Sequence, residues 1–148
     1  MTLERELDRR GLIIAPNEGT SMLPLLREGR DLMVIRRKPP EGVRRYDAVL
    51  FKRGERYVLH RVLRVRPDGC VLCGDHQYRR EFGVGEAQIL GVLTAVVRDG
   101  REISVTDPRM RLYVHLWCDL FWIRAAILFA KALPGRILRR LRAKAKRG

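Results

Sequence analysis

The sequence predicts a mainly β fold: an antiparallel sheet coiled toward a barrel, a short N-terminal helix before it and a long apolar helix after it. Two observations carry this. Between Leu12 and Val105, short runs rich in Val, Ile, Leu, Tyr and Phe are separated by Gly, Pro and Asp turn signals, which favours a sandwich or coiled barrel over a βαβ sheet. From Arg109 to Leu133 there is neither Gly nor Pro, and apolar residues recur at intervals of three and four. The division expected is a catalytic or binding domain over residues 1–106 and a C-terminal helix with a basic tail over residues 107–148.

Taken in order, Thr2 is placed to cap a short helix with Glu4 in its first turn and Arg9 and Arg10 at its end, charges that suit the helix dipole; Gly11 stops it. Leu12 to Ala15 reads as a strand or extended lead-in ending at Pro16. Gly19-Thr20-Ser21-Met22-Leu23-Pro24 is a small-residue turn, with Ser21 expected to open a helical turn through Leu26 that closes at Gly29. Such an N-terminus would favour developing negative charge on a reacting oxygen. Strands are expected at Asp31–Ile35, Tyr46–Phe51 and Arg56–Arg66. In the last, alternation puts Tyr57, Leu59, Arg61, Leu63 and Val65 on one face and Val58, His60, Val62 and Arg64 on the other. A short strand at Cys70–Cys73 runs into Gly74-Asp75-His76, a loop spans Gln77 to Gly85, and Ile89–Val97 pairs with Arg101–Val105 across the hairpin signal Asp99-Gly100.

Asp107-Pro108 is a good cap and first helical position. Leu112, Leu116, Leu120, Ile123, Ile127 and Ala130 then form a stripe, widened by Trp117, Phe121, Trp122, Leu128 and Phe129, before Pro134-Gly135 interrupts the pattern. His115, Asp119 and Arg124 fall inside this window, so a membrane span is disfavoured. The net charge of +14 is concentrated at the end: Lys131 to Gly148 holds eight Lys or Arg and no acid. These features favour a helix lying in the interface of an anionic membrane. The alternative is a helix packed on the sheet with a solvated tail. Specific nucleic-acid recognition is not expected, because a charged tail alone binds without sequence preference.

The three cysteines give no disulfide framework, and Cys70, Cys73 and Cys118 lack the histidine partners of a zinc site, so no metal or cofactor is expected. Buried, reduced thiols suit a cytoplasmic compartment. Residues 1–10 lack the apolar core of a secretory signal.

Chemistry is sought at Ser21, because a serine hydroxyl near neutral pH becomes a nucleophile only when a neighbour takes its proton. His60 is the candidate base. Read without further context, Ser21 is a turn residue and His60 a half-buried strand residue. The order of motifs favours the sharper reading. Gly-x-Ser-Met-x-Pro at Gly19 to Pro24, then Gly29-Arg30-Asp31, Tyr46 to Phe51, His60-Arg61-Val62 and Gly74-Asp75 resembles the catalytic domain of the type I signal peptidase and LexA-like serine peptidase superfamily. The resemblance covers Gly19 to Val97, and the histidine places it with the Ser/His branch of archaeal and endoplasmic-reticulum type rather than with the lysine-base branch.

That resemblance implies Ser21 as nucleophile, His60 as general base and Asp75 as the acid supporting the imidazole, with Glu81, six positions on, at the place of a second acid of unassigned role. Gly19 stands where many lysine-type relatives carry a hydroxyl, so the oxyanion would rely on backbone N–H groups around Thr20 and Ser21. Met22 and the Leu12–Ile14 run, Ile14 included, are expected to line substrate pockets. Arg61 is expected to point away from His60 into a charge pair. No anchor is read ahead of Ser21, so membrane contact is expected through the C-terminal helix and the basic tail, on the cytoplasmic face. The expected function is cleavage of a precursor protein or peptide; the alternatives are a non-catalytic peptide- or membrane-binding module on the same fold, a self-cleaving LexA-like regulator, and a cytoplasmic location.

Overall fold

Alternation of side chains along Arg56–Arg66 produces a long interior strand, paired on both sides within the sheet. The computed structural model describes the backbone of residues 3–145 and the side chains of residues 3–133. The capping role read for Thr2 and the side chains of the basic tail lie outside the described residues. The elements are α1 (Leu3–Arg10), β1 (Leu12–Pro16), β2 (Leu32–Arg37), β3 (Ala48–Arg53), β4 (Arg56–Arg66), β5 (Gly69–Cys73), β6 (Glu81–Val84), β7 (Ile89–Arg98), β8 (Arg101–Ser104), α2 (Pro108–Asp119) and α3 (Phe121–Ala145). A 3₁₀ turn at Glu86–Gln88 precedes β7.

Every pairing among these strands is antiparallel. The sheet order is β1-β2-β7-β3-β4-β5-β6, with β8 hanging from β7, and it curls into a half-barrel whose free edges are β1 and β6. The mainly β, antiparallel expectation with a short leading helix holds at that level. The Asp99-Gly100 turn also forms as read, with both residues at positive φ as a two-residue hairpin requires.

Each face of the sheet has its own apolar layer. Inside the curl, Ile13, Met33, Ile35, Leu50, Leu59 and Leu93 pack with Leu7 of α1 and with Met22, Leu25 and Leu26 from the Ser21 turn. On the other face, Val49, Phe51, Val62, Leu72, Val84 and Ile89 form a second cluster. Burying each such side chain contributes about 1.5–3 kcal/mol before chain entropy is counted.

Four expectations need correction. Residues 77–85 are not wholly a loop, because Glu81–Val84 adds β6 to the sheet edge. The Ser21 segment is two successive hydrogen-bonded turns, Leu23 N–H to the Thr20 carbonyl and Leu26 N–H to the Met22 carbonyl, and not a helix, so it has no helical dipole. The long helix is broken at Leu120, where ψ turns to 28°, although the amides of Leu120 and Arg124 still bond back to Leu116 and Leu120. Pro134-Gly135 does not end it: α3 runs on to Ala145 through a segment rich in Leu, Arg, Lys and Ala, strong helix formers that offset one proline.

Candidate active site

Alternation along β4 sends His60 and Arg61 to opposite faces of the sheet, and each meets a different acid. Leu72 of β5 pairs with Val62 on one side and with Glu81 of β6 on the other, so Glu81 shares the face of Val62 and therefore of His60. Glu81 Oε1 lies 2.8 Å from His60 Nδ1 and 3.0 Å from Arg53. The carboxylate oxygen is off the line of the ring N–H, since Nδ1 has no formed hydrogen bond. Catalytic contacts are often poorly aligned until substrate binds. The imidazole is buried, with the Phe51 ring 5.8 Å away. Burial pulls its pKa below the usual histidine value; Glu81 pushes it back up and Arg53 pulls it down again.

Asp75, which the family resemblance placed beside His60, is taken up on the other face. Arg61 donates to both of its carboxylate oxygens, at 2.8 and 2.7 Å, Tyr113 Oη donates at 2.8 Å, and Trp117 Nε1 donates to its backbone carbonyl at 2.6 Å. Arg61 donates further to the Tyr46 carbonyl. Burial would lower the Arg61 pKa, but Asp75 outweighs it and holds the guanidinium charged. The charge-pairing role read for Arg61 is what the structure shows. The acid against His60 is Glu81, and only the register of β6 makes that visible.

Ser21 stands where β5 ends. Met22, Leu25 and Leu26 anchor its turn inside the curl, on the Leu59 face, while His60 projects to the other face. Continuing the β4–β5 register past Cys73 places Gly74 opposite His60, and the Ser21 carbonyl accepts the His76 N–H at 2.7 Å. A Cβ on Gly74 would stand 2.6 Å from that carbonyl, so glycine is what lets the turn come this close. No hydrogen bond joins Ser21 Oγ to His60 among the described residues.

The turn itself is strongly held. Gly19, at φ 84°, donates to Glu28, Asn17 donates to the Gly19 carbonyl, and Arg98 donates to the Leu25 carbonyl at 2.7 Å. Asp31, fully buried, ties Arg27 and Arg98 together; burial alone would raise its pKa, but those two guanidiniums and the Arg27 amide hold it far below the usual carboxylate range. Thr20 is exposed beside Ser21.

A cleft of about 850 Å³ opens beside Gly19, lined by Ala15, Pro16, Met33, Leu50, Tyr57 and Leu59. Met22 is fully buried, and Ile14 lies on the outer face opposite Val34; Ala15, one residue along, faces the cleft instead. His76 contributes its amide to the site, and His115 lies against the Tyr46 ring with Asp119 3.6 Å from its Nδ1. The three thiols are buried and free, with Cys73 and Cys118 each pushed up to about 11, burial being the main cause. Among the described residues no cluster of potential ligands could hold a metal ion. No family model, no curated protein and no solved structure matches the chain.

Proposed function

We propose that the chain is a serine endopeptidase of signal-peptidase type that cuts a precursor protein or peptide, with Ser21 as nucleophile, His60 as general base and Glu81 as the acid that orients the imidazole. The observation that carries this reading is the buried His60 ring with the Glu81 carboxylate 2.8 Å from Nδ1, on the strand paired with β5, beyond whose end His76 bonds the Ser21 turn. A carboxylate at Nδ1 favours the tautomer with its proton there and leaves Nε2 to accept a proton. The order of the Gly-x-Ser-Met-x-Pro, His-Arg and Gly-Asp motifs supports the same chemistry.

In the proposed step, Ser21 Oγ attacks the scissile carbonyl carbon as His60 Nε2 takes its proton. The Ser21 N–H, which has no hydrogen-bond partner among the described residues, is available to the oxyanion. His60 then protonates the departing amine; it next takes a proton from water as the water oxygen attacks the acyl carbon, and returns that proton to Ser21 Oγ as the ester bond breaks and the acid product leaves. Substrate in extended form is proposed to lie along the free edge of β1 and drop side chains into the cleft at Ala15, Met33 and Leu59.

The test is incubation of the purified full chain with a broad peptide library, products being read by mass spectrometry. Ser21→Ala and His60→Ala are each expected to reduce cleavage by about a thousandfold or more. Full cleavage by Ser21→Ala would overturn the assignment. The absence of a Ser21–His60 hydrogen bond favours one second reading, a peptide-binding module on this fold, for which the same library would yield retained peptides and no products.

A further inference from the structure

We propose that the outer face of α2 and α3 seats the protein on an anionic lipid bilayer, with the Ser21 turn at the rim of the contact. The sequence reads the apolar repeat as one stripe, and the structure turns that stripe to solvent: Leu112, Leu116, Leu120, Ile123 and Ile127 are 61, 52, 47, 58 and 50% exposed. The side of the helices that packs on the domain carries other residues, Val114, Cys118, Phe121 and Arg124, all buried. The helices are therefore already docked, and the stripe is surplus to the core. An unbroken row of exposed aliphatics is an interaction surface.

The stripe continues across a groove of about 740 Å³ to Leu23 and Pro24, the residues that follow Ser21-Met22, with Lys131 at its rim. Its occupant is identified by charge. The chain beyond Ala130 carries eight Lys or Arg and no acid, which complements anionic headgroups. A second copy on the same face would bring two such tails together. Among the described residues no helix is long and apolar enough to cross a membrane, so the helices lie along the surface, as an apolar face beside basic residues does. This surface does not depend on the peptidase reading.

The experiment floats the purified full chain on density gradients with vesicles of phosphatidylcholine alone or with 30% phosphatidylglycerol. Wild type is expected to float with the anionic vesicles and at least tenfold less with the neutral ones. Leu116→Glu/Ile123→Glu, at exposed positions, is expected to keep the circular dichroism spectrum and melting temperature, to keep cleavage of short soluble peptides, and to lose at least tenfold in vesicle binding. Ser21→Ala is expected to float like wild type, so failure of the catalytic reading leaves this result standing. Flotation unchanged by the double glutamate variant would assign binding to the tail alone and overturn the proposal. So would failure of wild type to float, or a lipid-free dimer in sedimentation that the variant abolishes, which would give the stripe to a second copy.

Discussion

The proton affinity of His60 is set by burial and by two side chains of opposite sign, and this gives the site a signed pH test. Burial lowers the pKa, Glu81 raises it and Arg53 lowers it. In the proposed mechanism His60 is the general base and works when neutral, so activity should rise with pH through the His60 pKa, on the acid side of the ordinary value of about 6.5. Arg53→Gln removes the positive charge and lifts the pKa, moving the acid limb of kcat/KM to higher pH. Glu81→Gln removes the negative charge and moves the limb to lower pH, with a fall in kcat as Nδ1 loses its orienting partner. Opposite shifts are expected; shifts of one sign would place Glu81 elsewhere in solution. Asp75 is the contrast. Asp75→Asn breaks a fully buried pair and strands Arg61, which should cost about 3–5 kcal/mol, read as a lower urea midpoint at unchanged slope. If Asp75→Asn instead left stability intact and moved the pH limb as far as Glu81→Gln does, the family's placement of Asp75 beside His60 would be the better one.

Among the elements, β4 and β7 were legible because their alternation is long, and the hairpin at Asp99-Gly100 because both residues tolerate the φ the turn demands. β6 was not. Glu81-Phe82-Gly83-Val84 is short, lies in a polar stretch and holds a glycine at φ 67°, so its pairing with β5 depends on tertiary contact and not on local preference. With β6 hidden, Glu81 had no face, and the acid at His60 could not be chosen from spacing alone. The helix stripe was legible as a pattern, but its direction was not: the inward side is decided by Tyr113 and Trp117, whose polar groups reach Asp75, and by Arg124, which reaches the Gln77 carbonyl. The junction between β5 and the Ser21 turn makes its own test. Gly74→Ala would force a methyl against the Ser21 carbonyl at 2.6 Å, with the Gln77 side chain at 3.0 Å. Backbone cannot yield as a flexible side chain would, so a loss of about 1–3 kcal/mol is expected. If Ser21 is the nucleophile as proposed, cleavage should fall further than stability explains, because the displaced atom belongs to that residue. Unchanged cleavage at full stability would show that the turn is not held there.

At the scale of the whole molecule, the start of the segment that follows residue 106 is packed on the sheet. α2 and the first turn of α3 bury Val114, Cys118 and Phe121 and supply Tyr113 and Trp117 to Asp75, while Arg124 lies over the Trp117 and Phe121 rings. Arg80, next to Glu81, is held by Phe82, Phe121 and Trp122. A chain ending at Thr106 would therefore expose the Arg61–Asp75 pair and release the Gln77–Glu81 segment from its support. Losing three buried apolar side chains at about 1.5–3 kcal/mol each, together with those hydrogen bonds, is comparable to the whole stability of about 5–15 kcal/mol of a typical domain. Ending at Leu133 removes none of these contacts. The expected outcome is a cooperative thermal transition close to that of the full chain for residues 1–133, and its absence for residues 1–106, followed by circular dichroism in the near and far ultraviolet. A cooperative transition with intact near-ultraviolet signal for residues 1–106 would mean that the sheet holds Asp75 and Glu81 without the helices, and that α2 and α3 form a separable appendage.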